Sequence, residues 1–225
     1  MRKLHTICLL IFLILTSCDF KSSADYNAEA EKLEMEGKFH EAIHLLNKAI
    51  EKDPKNIYAL INRGVDKSIL EDFKGAIEDY TKVLEIDSNN TIAFLNRGKN
   101  KKRIKDYSGA IEDFNKAIAT KGGENLYITW TQNYFDNTSY EFDVDMEEIR
   151  FERGIARYFI DSSKSAFNDF HFCIENGFEL SSSYYWRGLI YLAYDMKTEG
   201  CNDLEKSHEL GDPNAKEIID KYCKK

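Results

Sequence analysis

Two segments decide the fold: Phe73-Lys74-Gly75-Ala76-Ile77-Glu78-Asp79-Tyr80 and Tyr107-Ser108-Gly109-Ala110-Ile111-Glu112-Asp113-Phe114. Both carry Gly-Ala-Ile-Glu-Asp between aromatic ends, 34 residues apart. Outward from them, Ala42, Ala76 and Ala110 keep that spacing of 34, as do Ala30, Gly64 and Gly98, then Leu46, Tyr80 and Phe114, then Ala49, Val83 and Ala117. Further along, Gly154 and Gly188 are 34 apart, and so are Ala166 and Gly200. The step from Ala110 to Ala166 is 56, one period plus an insertion of 22. A fixed period of roughly 20–50 residues marks a repeat architecture.

Inside each period the apolar residues fall three and four apart, the mark of amphipathic helices. Small residues recur at two fixed places, Gly64 in a first helix and Ala76 in a second. Two helices approach closely only where side chains are small, so each period reads as a helix–turn–helix. Its apolar face stays uncovered until the next unit stacks on it.

This pattern resembles the tetratricopeptide repeat (TPR) family, which places large apolar residues at positions 4, 11 and 24, small ones at 8, 20 and 27, and often Pro at 32. Unit one, 23–56, matches throughout with Tyr26, Ala30, Leu33, Ala42, Leu46, Ala49 and Pro54. Units two (57–90) and three (91–124) match through Leu60, Gly64, Ala76, Tyr80 and Val83, and through Phe94, Gly98, Ala110, Phe114 and Ala117. Units four (147–180) and five (181–214) match more loosely. The departures are Lys67 and Lys101 at position 11, Arg150 at position 4 and Ser207 at position 27. The resemblance implies an all-α, TPR-type α-solenoid of five helix–turn–helix repeats, closed by a capping helix over 215–225.

The insertion over 125–146 abandons the helical period. Leu126, Ile128 and Trp130 alternate with Tyr127, Thr129 and Thr131, and Tyr140, Phe142 and Val144 alternate with Glu141, Asp143 and Asp145. Alternation around a polar turn predicts a small β-hairpin, whose aromatic side packs either on the helices or on a partner.

The N-terminus reads as an address. Arg2 and Lys3 precede an apolar run from Ile7 to Leu15, too short to span a bilayer. Leu15-Thr16-Ser17-Cys18 then resembles the lipobox of bacterial lipoproteins. The resemblance implies that residues 1–17 are a signal peptide, that Cys18 carries lipid, and that 18–22 form a lipidated tether. It places the protein in a bacterial cell envelope, at the outer membrane or periplasmic face rather than in the cytoplasm.

Five cysteines occur. Cys201 and Cys223 flank the Gly211-Asp212-Pro213 turn at equal distances, which puts them at one level of a helical hairpin and predicts a disulfide. Two free thiols are the alternative in a reducing compartment. Cys173 falls at a packing position.

The chain has 225 residues, a net charge of −8, 43% apolar positions and only two prolines. An acidic chain without a basic block argues against nucleic acid as a partner. His40-Glu41-Ala42-Ile43-His44 spells H-E-x-x-H, the pattern of zinc hydrolases. The repeat register explains it differently: His40, Glu41 and His44 align with Lys74, Gly75 and Glu78, outward positions of a sister unit with no metal pattern. There is no Gly-rich phosphate loop, nucleophile elbow or C-x-x-C pair, so no catalytic set, metal or cofactor is expected.

In the TPR family the first helices line a concave face that takes protein or peptide segments. Carried over residue by residue, that face holds Tyr58, Ile61 and Val65 from unit two, and Leu95, Lys99, Lys102 and Arg103 from unit three. Unit four adds Phe151, Ile155 and Tyr158, and unit five adds Tyr185 and Leu189. The family's carboxylate-clamp set of Lys and Asn is not reproduced. A basic strip between apolar neighbours suits an extended peptide with some acidic residues. The resemblance implies a lipid-anchored adaptor or envelope assembly factor. The other readings are a zinc hydrolase through His40, Glu41 and His44, and an envelope glycan binder using exposed aromatics such as Trp130.

Overall fold

A computed structural model describes residues 20–120, 144–160 and 163–224. Among the described residues there are eleven helices and no strand. They are α1 Ser23–Met35, α2 Phe39–Lys52, α3 Ile57–Ile69, α4 Phe73–Ile86, α5 Thr91–Arg103, α6 Tyr107–Thr120, α7 Met146–Phe159, α8 Ser163–Glu175, α9 Leu180–Ala193, α10 Lys197–Glu209 and α11 Ala215–Tyr222. Consecutive helices pair, and each pair packs on the next, so α1/α2, α3/α4, α5/α6, α7/α8 and α9/α10 are five repeats, followed by the single α11 on α10. This is an all-α, TPR-like solenoid.

Local chemistry sets the helix ends. Asn56 and Asn90 cap α3 and α5, their side-chain oxygens accepting from the backbone N–H of Ala59 (3.0 Å) and Ala93 (2.9 Å). Asp72 caps α4 through Gly75 N–H. A turn with positive φ follows the first helix in four units: Gly37 at 73°, Glu71 at 63°, Lys105 at 65° and Asp195 at 63°. In each, a 6→1 backbone bond closes the helix end, as from Lys38 N to Leu33 O (2.8 Å) and Asp106 N to Lys101 O (2.9 Å).

The pairs close through the small positions. A Cβ at Gly64 would lie 2.8 Å from the Tyr80 ring, and one at Gly98 2.7 Å from the Phe114 ring. The glycines leave room for an aromatic ring from the second helix. In unit one the ring is replaced by Leu46, and Ala30 fits opposite it in the same buried cluster. Ala42, Ala76, Ala110 and Ala166 are all fully buried.

The hairpin expected over 125–146 lies outside the described residues as far as 143. Its last three residues belong to the helical array instead. Val144 is buried beside Phe94, Leu95, Phe114 and Ile149, Asp145 precedes α7, and Met146 is the first residue of that helix. Glu147 and Glu148 in its first turn complement the positive end of the helix dipole, which favours a start there. The signal segment and Cys18 also lie outside the described residues. Among the described residues no helix is long and apolar enough to cross a membrane.

Candidate peptide-binding groove

The first helices α3, α5, α7 and α9 carry the residues expected to face a ligand. They do not all face outward. Ile61 and Leu95 are buried, Ile61 in one cluster with Tyr80 and Ala93, Leu95 in another with Val144 and Ile149. At this position the side chain fills the seam to the next unit and presents nothing to a ligand. Tyr58 is exposed, and Val65, Phe151, Ile155, Tyr158, Tyr185 and Leu189 are half-buried.

The basic strip of α5 is largely neutralised by α7. Lys99 Nζ lies 2.5 Å from Glu148 Oε1, and Lys102 pairs with Glu152. Arg103 remains exposed, its guanidinium 5.2 Å over the Phe73 ring and 4.0 Å from Glu71. A cavity of about 320 Å³ opens here, lined by Ser68, Phe73, Lys99, Lys102, Arg103 and Glu152. A second, of about 400 Å³, lies where α7 and α9 meet α11, with Tyr158, Leu189, Leu192, Ala193, Asp195, Lys197 and Tyr222 around it. Between them the aromatic side chains engage one another: Phe159 stacks on Tyr107 at 5.0 Å, and Tyr158 meets Trp186 edge-on at 5.1 Å.

Behind this face runs a ladder that apolar pattern-matching passes over. Arg63, Arg97, Arg153 and Arg187 each hold a buried aspartate of the second helix of their own unit through two nitrogens: Asp79, Asp113, Asp169 and Asp203. The third nitrogen of each reaches back to the preceding unit, at Asn47, Thr81, Asn115 and His171. Lys67, Lys101 and Arg157 add a second cation to the first three aspartates. The two lysines that depart from the apolar pattern at position 11 are therefore ion-pair partners. The signal was present in the sequence, since these Arg and Asp residues recur with the repeat. Hydrogen bonding to Asp203 raises the Arg187 pKa, whereas burial lowers that of Arg157.

Cys201 and Cys223 are joined by a disulfide. Cys173 is a buried thiol, pushed up to about 12, chiefly by burial. His40, Glu41 and His44 are exposed on α2, and no group of three or more metal-ligating side chains occurs among the described residues. Trp130 lies outside the described residues.

A family model for the tetratricopeptide repeat matches residues 59–90, the second unit. Comparison with curated protein sequences finds no match. Among solved structures, MamA of Desulfovibrio magneticus RS-1 superposes with a TM-score of 0.69 at 15% identity, over 84% of this chain and 94% of that one. YrrB, described as a TPR protein with an unusual peptide-binding site, gives 0.69 at 17% identity, over 87% and 91%. PilF of Pseudomonas aeruginosa gives 0.66 at 17% identity, over 88% and 80%. At these identities the likeness is one of fold.

Proposed function

We propose that the protein is a bacterial envelope lipoprotein, held by lipid on Cys18, whose solenoid captures extended segments of other proteins as an adaptor or assembly factor. The observation that carries the binding reading is Arg103. It is an exposed cation braced on Phe73 at the edge of a cavity of about 320 Å³. Uncovered apolar side chains stand in neighbouring units, with Tyr58 43% exposed, Ile69 49% and Phe159 51%. Apolar anchors around a cation suit a peptide that inserts apolar side chains and sets an acidic group against Arg103. The peptide-binding site described for YrrB supports the same use of this fold.

Crosslinked capture from intact envelopes tests the proposal. Arg103→Glu is the informative change, because Lys99 and Lys102 are tied to Glu148 and Glu152 and their reversal disturbs the junction of units three and four. Loss of captured proteins with an unchanged melting temperature supports the groove; undiminished capture rejects it. Cys18→Ala separately tests the anchor and is expected to release the protein to the soluble fraction.

A further inference from the structure

Among the described residues the arginine ladder leaves out three buried acids: Asp212, which accepts from Asn214 N–H in the turn before α11, and the pair Glu34 and Asp66. Glu34 stands in the last turn of α1 and Asp66 in the last turn of α3, 5% and 0% exposed. Their carboxyl groups lie within hydrogen-bonding reach of each other. None of their four oxygens finds a donor among the described residues. Asp79, Asp113, Asp169 and Asp203, by contrast, are each gripped by an arginine.

The surroundings disfavour negative charge in three ways. Burial strips the carboxylates of water. Both residues stand in the last turn of their helices, where the negative end of the dipole disfavours an anion. The nearby ionisable groups add no cation. Glu31 on α1 is a third acid, and Tyr80 on α4 is a buried phenol beside Asp79. Lys67 on α3 is taken by Asp79, 2.7 Å away. On α2, His40, Glu41, His44, Glu51 and Lys52 are exposed, and Lys48 sits over the Tyr26 ring.

Two ionised carboxylates cannot hydrogen-bond to each other, and one proton between them turns repulsion into a bond. We infer that Glu34 and Asp66 share one proton, and that this proton latches the first repeat onto the second. The latch is a pH-sensitive device and does not depend on what the groove binds. Both acids are raised, Glu34 to about 8, by burial foremost and then by Asp66 and Glu31. An acid whose folded pKa is raised stabilises the docked state below its ordinary pKa. That contribution is lost as pH rises through the folded value. Unit one is therefore held most firmly in mild acid and loosens through neutrality to about pH 8.

Native-state hydrogen exchange on the full chain, corrected for intrinsic rates, tests this. With one proton released, the opening constant of α1 amides should climb with pH by at most about tenfold per unit across this window, then level off. Glu34→Gln and Asp66→Asn should each abolish the climb, because an amide N–H replaces the proton. Infrared spectra of the unaltered protein give a variant-free check: a protonated carboxyl band present near pH 6 should vanish by about pH 9. A flat α1 response in the unaltered protein, an undiminished climb in Glu34→Gln, or no such band overturns the latch.

Discussion

Arg97 holds Asp113 with Nε at 2.9 Å and Nη2 at 2.7 Å, while its Nη1 reaches the Thr81 hydroxyl of the preceding repeat at 3.1 Å. One side chain thus ties the two helices of its own unit and the seam to the preceding one. The same geometry at Arg63, Arg153 and Arg187 makes the ladder a regular strut through the stack. A solenoid's stability is a sum of unit and interface terms, and each arginine contributes to both.

Arg97→Ala removes the planar grip and leaves Asp113 to Lys101 alone, 2.8 Å away. Breaking a buried ion pair costs about 3–5 kcal/mol, and the residual lysine places this variant at the lower end, about 3 kcal/mol. Lys101→Met leaves the bidentate pair intact and is expected to cost about 1 kcal/mol. Urea denaturation of both variants checks the order. Equal losses would show that the arginine fork contributes no more than the lysine.

A second expectation follows from the glycine–ring match. Gly64→Ala drives a methyl group against the Tyr80 ring, where an ideal Cβ would sit 2.8 Å away. The ring is fully buried and has little room to yield. Overpacking of this kind costs about 1–3 kcal/mol. Adding Tyr80→Leu recreates the Ala30–Leu46 arrangement of unit one. A double-mutant cycle should therefore show a favourable coupling of about 1 kcal/mol or more between the two changes. Simple additivity would mean that the two positions do not read each other's size.

That match explains why the fold was legible. Gly64 with Tyr80 and Gly98 with Phe114 lie within single repeats, and their sizes recur every 34 residues, so the sequence states the contact repeatedly. The groove was legible only in part. Lys99 meets Glu148 across 49 residues, and that pairing depends on how α7 docks after the insertion, which no local period records. Ile61 and Leu95 look like surface anchors in a single unit and become core only once the next unit covers them. The Glu34–Asp66 pair occurs once, so the repeat offers no second copy by which to notice it.

Lys105 is a backbone misfit with a simple remedy. Its φ of 65° sits in the left-handed region, and its side chain is exposed. Unit one places Gly37 at the equivalent turn, with φ 73°. A non-glycine residue held there costs about 1 kcal/mol, so Lys105→Gly should raise stability by up to about that amount, less the added freedom of the unfolded chain. A rise of a few degrees in the melting temperature is the expected reading. An unchanged or lowered value would show that the turn carries no such strain.

The disulfide gives the most local expectation. Cys201 on α10 and Cys223 at the end of α11 are 22 residues apart in sequence. Closing a loop of that length is worth about 3 kcal/mol in the chain-entropy account. Helix α11 packs on α10 alone among the helices with which it shares more than slight contact, so reduction should release α11 and leave the five repeats in place. Tyr222, which lines the cavity of about 400 Å³, would leave with it and open that end of the inner face. Hydrogen exchange before and after a dithiol reductant should show new exposure confined to 215–224. Alkylation mapped by mass spectrometry should label Cys201 and Cys223 after reduction while Cys173, buried and with its thiol pushed up to about 12, stays unlabelled until the chain unfolds. Labelling of Cys173 under the same conditions would mean that reduction unravels the repeats rather than a single helix.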